Sequence, residues 1–112
     1  MSAYEYDCPI EATLAVIGGK WKAITIYYLM DGDKRFSELM KLLETVSSRM
    51  LTKQLQELER DGVIARKVFA EVPPRVEYSL TDYGKTLVPV IQQICHWGEE
   101  RLERIGARAV YN

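Results

Sequence analysis

The residue types best suited to chemistry fall on one side of a helix predicted for residues 47–61. Successive helix residues lie about 100° apart around the axis, so one face can be read from the spacing. The face consists of Arg49, Thr52, Lys53, Gln56 and Arg60. Arginine can bind guanine and glutamine can bind adenine with two hydrogen bonds each, while lysine binds a guanine edge or a phosphate. The set is suited to reading DNA, although an ordinary solvated helix surface has the same periodicity.

The sequence also predicts the buried side of this helix and its two ends. Leu55 and Leu58 fall within about 40° of Leu51, so the three leucines predict a narrow buried stripe. Either Ser47 or Ser48 can cap the first turn, and Gly62 supplies a C-terminal stop. We therefore expect a half-buried helix whose DNA-reading residues are Ser47, Ser48, Arg49, Thr52, Lys53 and Gln56.

The segments on either side predict the motif that carries this helix. A short helix with Ser37 as its N-cap precedes it and ends near Leu43. Two β-branched, partly alternating stretches follow at 63–69 and 75–80, joined by a loop at 71–74 that contains two prolines. This order is typical of a winged helix-turn-helix, with the motif at 36–61 and the wing at 63–80. Arg66, Lys67 and Arg75 would line the wing, although basic strand residues are often simply solvated.

Two further helices are predicted before the motif. Pro9 opens the first, at 8–18, and the Gly18-Gly19 pair ends it. The second runs from about residue 20 to residue 30, and its predicted inner side is Trp21, Ile24, Tyr28 and Leu29. Lys20, between the two helices, and Arg35, before the motif, are the predicted contacts to the DNA backbone.

A long final helix is predicted from Thr81 to about residue 105, with a bend at Pro89. Its apolar positions span about half of the cylinder, more than one small core can cover. We therefore expect a homodimer formed by the helices at 8–18 and 81–106. The predicted interface residues are Leu14, Leu87, Ile91, Ile94 and Trp97. The alternative is a monomer in which the first helix covers all of the apolar positions of the final helix.

Length and composition limit the class of protein. The chain has 112 residues, of which 47% are hydrophobic and 28% charged, so we expect one domain over 1–112. Its class is mainly α with a small β-hairpin, that is, α+β. No apolar run approaches the roughly 20 residues that span a bilayer, and the acidic N-terminus is unlike a signal peptide, so we expect a cytoplasmic protein and no membrane partner.

Catalysis and metal binding find little support among the residue types. Two cysteines, 87 positions apart, and a single histidine cannot form a Cys/His zinc site within one chain. The same histidine has no nucleophile or carboxylate spaced to form a catalytic set. We predict a non-enzymatic protein with no metal and no cofactor.

The charge of the chain is unevenly distributed. The formal net charge of −1 does not suggest a nucleic-acid binder. Residues 20–75, however, contain 11 basic and 8 acidic side chains, whereas the rest of the chain contains 4 and 8. This partition would turn the helix-turn-helix and the wing toward DNA and the acidic terminal segments away from it.

Several sequence blocks together resemble a known family. They are CPIE at 8–11, IGGKW at 17–21, RFSEL at 35–39, SRMLT at 48–52, LQELERDG at 55–62 and EVPPRVEYSLT at 71–81. These blocks resemble the signature of the HxlR-type winged helix-turn-helix regulators. The resemblance implies a bacterial dimeric transcription factor, here expected to be a repressor, that inserts helix 47–61 into the major groove of a palindromic double-stranded operator.

The same resemblance draws attention to Cys8 and Cys95. Some regulators of this kind sense electrophiles or oxidants through an N-terminal cysteine, sometimes by pairing with a cysteine of the other subunit. The partial positive charge of a helix N-terminus favours the thiolate form of Cys8, but the negative charges of Asp7 and Glu11 would raise the thiol pKa. A purely structural role for Cys8 is an equal alternative. Two other functions stay open: a dimer that acts as a protein-interaction module, and a regulator switched by a small aromatic effector bound among Trp21, Tyr27, Tyr28 and Trp97.

Overall fold

The computed structural model describes residues 5–110. Six helices and three strands follow one another through these residues. The helices are α1 (Pro9–Ile17), α2 (Lys22–Leu29), α3 (Phe36–Leu42), α4 (Ser48–Arg60), α5 (Asp82–Lys85) and α6 (Val88–Ile105), and the strands are β1 (Lys34–Arg35), β2 (Ile64–Phe69) and β3 (Arg75–Leu80). The predicted class and the winged helix-turn-helix architecture are confirmed. The predicted domain of 1–112 includes residues 1–4 and 111–112, which lie outside the described residues.

The centre of the fold is α2, which packs against α1, α3, α4, α6 and β3. Of the inner residues predicted for it, Leu29 is buried, whereas Trp21, Ile24 and Tyr28 are half-buried. Ile26 is instead completely buried. All four predicted residues belong to the core or pack against it, but the prediction missed Ile26, because a helix with neighbours on several sides has no single apolar stripe.

The helix-turn-helix is formed by α3 and α4. The predicted N-cap of α3, Ser37, is wrong: the N-cap is Arg35, two residues earlier, and the Glu38 side chain accepts a hydrogen bond from the Arg35 backbone N–H at 2.9 Å. For α4 the prediction is confirmed, since Ser47 Oγ accepts a hydrogen bond from the Met50 N–H at 3.0 Å. Gly62, with φ of +80°, ends the helix in a conformation that favours glycine.

The wing belongs to a three-stranded antiparallel sheet with the order β1-β3-β2. The predicted hairpin corresponds to β2 and β3, which pair Arg66 with Tyr78 and Lys67 with Glu77. The sequence did not predict β1, because two residues are too few to show an alternating pattern. This strand joins the start of α3 to the wing, so the two parts of the motif share one sheet.

The final helix is divided, contrary to the prediction of one bent helix. A short α5 is followed by α6, and Pro89 lies in the first turn of α6. The missing N–H of proline is harmless there, whereas in a helix interior it would remove a hydrogen bond. Thr81 caps α5 as predicted, because its Oγ1 accepts a hydrogen bond from the Gly84 N–H at 2.9 Å. Its hydroxyl also donates to the Gly62 carbonyl oxygen at 2.6 Å, which ties α5 to the end of α4.

Candidate nucleic-acid interface

The predicted DNA-reading helix, α4, is held by its leucine stripe. Leu51, Leu55 and Leu58 are each no more than 2% exposed. A helix anchored in this way presents its opposite side to solvent without rotational freedom. All six predicted reading residues are exposed: Arg49, Thr52, Lys53 and Gln56 lie on that opposite side, and Ser47 and Ser48 lie at the start of the helix.

Hydrogen bonds within α4 limit what its hydroxyl groups can offer. Ser47 Oγ is the helix cap, and the Thr52 hydroxyl donates to the Ser48 carbonyl oxygen at 2.8 Å. Thr52 therefore presents its methyl group and its remaining lone pairs outward. A methyl group at this place is suited to the C5-methyl of thymine.

The charged side chains of α4 divide into two groups. Among residues 5–110, neither Arg49 nor Lys53 forms an ion pair, so both cations are available to a ligand. Glu57, by contrast, pairs with Lys22 of α2, with Nζ 3.4 Å from Oε2. The exposed face of α4 thus carries unpaired positive charge, and Lys22 of α2 compensates the negative charge of the nearby Glu57 carboxylate.

Lys20 lies beside this helix. The turn at Gly18-Gly19 places it near α4, and Lys20 and Lys53 line one open groove. The Lys20 ammonium lies 4.6 Å from the centroid of the Trp21 ring, an arrangement that limits the side chain's freedom. Two lysines on one groove edge form a surface suited to the phosphate backbone.

Arg35 occupies the other edge of the helix-turn-helix. It is exposed, and it lines a groove between the start of α3 and the wing loop. The neighbouring Lys34 is engaged elsewhere, because its Nζ donates a hydrogen bond to Asp31 at 2.8 Å. That hydrogen bond lowers the pKa of the Asp31 carboxyl, so the pair stays charged. Arg35 is the cation of β1 that remains available.

The wing has two exposed cations on β2, Arg66 and Lys67. The Lys67 ammonium lies 4.9 Å from the centre of the Phe69 ring. Both side chains extend from the strand that forms the outer edge of the sheet. Their position fits the predicted contact with the DNA backbone.

Arg75 differs from the other predicted wing contacts. Its Nη2 lies 3.5 Å from Glu71 Oε1, its Nε lies 3.3 Å from Glu77 Oε2, and its guanidinium group lies 3.9 Å from the centre of the Phe69 ring. Two carboxylates and an aromatic ring therefore hold this side chain within the wing. We assign Arg75 to the shape of the wing rather than to DNA, since its charge is already compensated.

Comparison with known proteins gives a consistent result. The family model described as HxlR-like helix-turn-helix matches residues 16–106. The chain belongs to this family. It is 59% identical over 98 residues to the HTH-type transcriptional regulator YdeP of Bacillus subtilis, with 88% of this chain and 77% of YdeP covered. This HxlR-type chain is therefore a helix-turn-helix transcriptional regulator.

Solved structures with the same fold include redox regulators. The oxidised form of the redox regulator HypR is 54% identical, with a TM-score of 0.81 over 83% of this chain and 96% of that one. The reduced form of the transcriptional regulator YodB from B. subtilis is 35% identical, with a TM-score of 0.73 over 85% and 94%. YodB has also been solved after diamide treatment, at 35% identity, with a TM-score of 0.71 over 86% and 96%.

The two thiols of this HxlR-type regulator are both exposed. Cys8 directly precedes α1 and forms no side-chain cap. The Glu11 carboxylate is held close by, since it accepts a hydrogen bond from the Asp7 N–H at 2.7 Å. Cys95 lies on α6 and lines an apolar groove between α2 and α6. The thiols are accessible to a reagent or to a second subunit.

The predicted dimer residues fall into two groups. Leu14, Ile94 and Trp97 are 55%, 49% and 69% exposed. Leu87 is half-buried, and Ile91, at 3% exposed, belongs to the regulator's own core. Ile91 was wrongly included, because α2 covers that side of α6.

Among the described residues, no helix is long and apolar enough to cross a membrane.

Sequence reasoning missed two features of the site. Lys22 was not singled out, although its burial and its ion pair connect α2 to α4. Phe69 was treated as an ordinary strand residue, although two basic side chains lie against its ring. Both features depend on contacts between distant parts of the chain, for which helix and strand periodicity give no signal.

Proposed function

We propose that this regulator acts in the cytoplasm as a homodimeric repressor of transcription. Its two α4 helices would enter successive major grooves of a palindromic operator, whose half-sites are about 34 Å apart. The observation that carries the proposal is the exposed polar face of α4, with Arg49 and Lys53 free of ion pairs within residues 5–110, above a buried leucine stripe. A helix fixed to its domain in this way can hold base-reading side chains in register.

The contacts separate into two kinds. Base reading is assigned to Ser48, Arg49, Thr52 and Gln56, since these side chains project from the exposed side of α4. Backbone contact is assigned to the cations around that helix, because phosphate contacts position a protein without reading sequence. The backbone residues are Lys20, Arg35, Lys53, Arg66 and Lys67.

The uncovered apolar side chains of α1 and α6 support the homodimer. Ile10, Leu14, Ile94 and Trp97 are all about half exposed or more. Large apolar patches on a protein of this size mark an interaction surface. A second copy is the occupant that a palindromic operator requires, since each half-site then meets an identical reading helix.

A thiol switch would release the operator. In this step the Cys8 thiol and Cys95 of the partner subunit form one disulfide, losing two protons and two electrons to an oxidant such as diamide, whose N=N bond is reduced to a hydrazine. The exposure of both thiols supports the step, as does the fold shared with the redox regulators HypR and YodB. A bridge between subunits would rotate the two α4 helices away from the groove spacing.

Operator binding under oxidation tests the proposal. A duplex is first selected by the wild-type chain from a randomised library, and its affinity is measured with and without diamide for wild type, Cys8→Ser and Cys95→Ser. We expect diamide to weaken wild-type binding at least about tenfold, equivalent to about 1.4 kcal/mol, and to leave both variants unchanged. Failure to select any duplex would contradict DNA binding, whereas selection without a diamide effect would contradict the switch alone.

A second candidate effector is favoured by the apolar groove between α2 and α6. Ile24, Tyr27, Tyr28 and Ile94 line it together with Cys95. Of the four aromatic residues predicted to hold an effector, Tyr27 and Tyr28 line this groove, whereas Trp21 and Trp97 line others. A small aromatic compound fits this chemistry, since apolar and aromatic walls bind planar apolar ligands. An effector of this kind would weaken operator binding by Cys8→Ser as strongly as by wild type, which separates it from the thiol switch.

A further inference from the structure

We propose that Lys22 is a positioning residue for DNA binding, which neutralises Glu57 so that DNA phosphates can approach the flank of α4. The inference rests on the proposed DNA-binding function and extends it to a residue behind the interface. The ion pair joins the first turn of α2 to the second half of α4, across 35 positions of sequence. The ion pair therefore links α2 and α4, which are not consecutive elements of the chain.

Glu57 lies next to the proposed DNA surface. By helix periodicity it is about 40° from Lys53 and about 80° from Arg49 around the α4 axis. Lys20, Lys22, Lys53 and Glu57 all line the same open groove. An uncompensated carboxylate at this place would oppose the attraction of the two exposed lysines for phosphate.

The burial of the pair decides what Lys22 can do. Its side chain is 11% exposed, and that of Glu57 is 25% exposed. A lysine so covered cannot extend to a phosphate while it remains paired with Glu57. Its charge still acts on the groove, because partly buried charges are screened by salt less than exposed ones.

The energetic consequence follows from the charges. If Lys22 were uncharged, the carboxylate of Glu57 would face incoming phosphates with a like charge. Like-charge juxtaposition across an interface is costly, and it acts on every DNA sequence in the same way. Lys22 should therefore affect affinity for specific and scrambled DNA equally, in contrast to a residue that reads bases.

A double-mutant experiment separates this role from a direct phosphate contact. Wild type, Lys22→Met, Glu57→Gln and the Lys22→Met/Glu57→Gln double variant are titrated by fluorescence anisotropy. The probes are the duplex selected by wild type and a scrambled duplex of the same composition, at about 0.1 M salt. Lys85→Met, which removes an exposed lysine of α5, is the matched control. Urea unfolding of each variant reports its stability.

We expect Lys22→Met to weaken binding to both duplexes about tenfold, and the double variant to recover to within about threefold of wild type. Glu57→Gln alone should bind as well as wild type or more tightly, because only the repulsive group is lost. The Glu57→Gln titration still tests the inference if Lys22→Met does not fold.

Three results would overturn the inference. The double variant could remain as weak as Lys22→Met, which would indicate a direct phosphate contact or a purely structural clamp. Lys22→Met could bind like wild type, or Glu57→Gln could bind more weakly. If wild type selects no duplex, the proposed function itself fails and the inference falls with it, whereas the other results leave DNA binding intact.

Discussion

At the scale of single residues, Arg49 and Lys53 have different expected roles although they are neighbours on α4. Both are exposed, and neither forms an ion pair within residues 5–110. Arg49 occupies the first turn, the part of a recognition helix that contacts base edges. Lys53 lies one turn further along and shares a groove with Lys20, where the phosphate backbone would run.

Replacing these two residues should therefore give different results. Arg49→Ala should cost about 1 to 3 kcal/mol on the selected operator and relax base preference at one position. Lys53→Ala should weaken all duplexes similarly and reduce the salt slope by about one. Anisotropy titrations over a salt series measure both, with Arg108→Ala as a control for charge far from the interface. Equal losses on operator and random DNA for Arg49→Ala would contradict base reading.

Which side chains share a face of α4 could be predicted, because the helical period alone determines it. What each of them contacts could not. The pairing of Arg75 with Glu71 and Glu77 depends on the register of the hairpin, and that of Lys22 with Glu57 on how two helices cross. Contacts of this kind belong to tertiary structure and leave no local pattern in the sequence.

At the scale of elements, the helices with a single buried side were predicted best. The bounds and cap of α4 follow from one leucine stripe, one serine and one glycine. The prediction failed where the local pattern was ambiguous. Pro89 is compatible with a bend or with a helix start, and the structure has the helix start.

The junction between α5 and the wing makes Gly84 indispensable. A Cβ atom at this position would overlap the Val63 carbonyl oxygen, so Gly84→Ala must push α5 away. We expect a loss of about 1 to 3 kcal/mol in the free energy of unfolding. Gly98→Ala in α6 is the matched control, since its Cβ would meet no atom within 4 Å and should be neutral or stabilising. Urea unfolding at one protein concentration checks both, and an unchanged midpoint for Gly84→Ala would contradict the packing described.

At the scale of the whole molecule, charge and apolar surface are segregated. The exposed side of α4 and the wing carry Arg49, Lys53, Arg66 and Lys67, whereas α1 and α6 carry the exposed apolar side chains Ile10, Leu14, Ile94 and Trp97. The near-zero total charge conceals this arrangement, because 11 of the 15 basic residues lie within residues 20–75, whereas the 16 acidic residues are divided equally between that stretch and the rest of the chain. A modest net charge limits non-specific binding and leaves more of the affinity to the correct bases.

Dimerisation can be tested on the exposed aromatic side chain of α6. Trp97→Asp should weaken self-association by about 2 kcal/mol or more, because large buried aromatics dominate such interfaces. Sedimentation should then show the 12.9 kDa monomer in place of a species of twice that mass. Operator affinity should fall as well, since the two half-sites would be bound independently. Val72→Asp, at a more exposed apolar position in the wing loop, is the control for self-association. An unchanged mass for Trp97→Asp would contradict this interface.

The central position of α2 has a consequence for signalling. One side of this helix packs against α6, and another packs against α4. Packed helices lie about 8–10 Å apart, so the thiol-bearing helix and the reading helix are separated by the width of one helix. A tilt of α6 would be passed through close-packed side chains, which transmit strain because they cannot compress. Under the proposed thiol switch, the signal would cross only one layer of side chains on each side of α2.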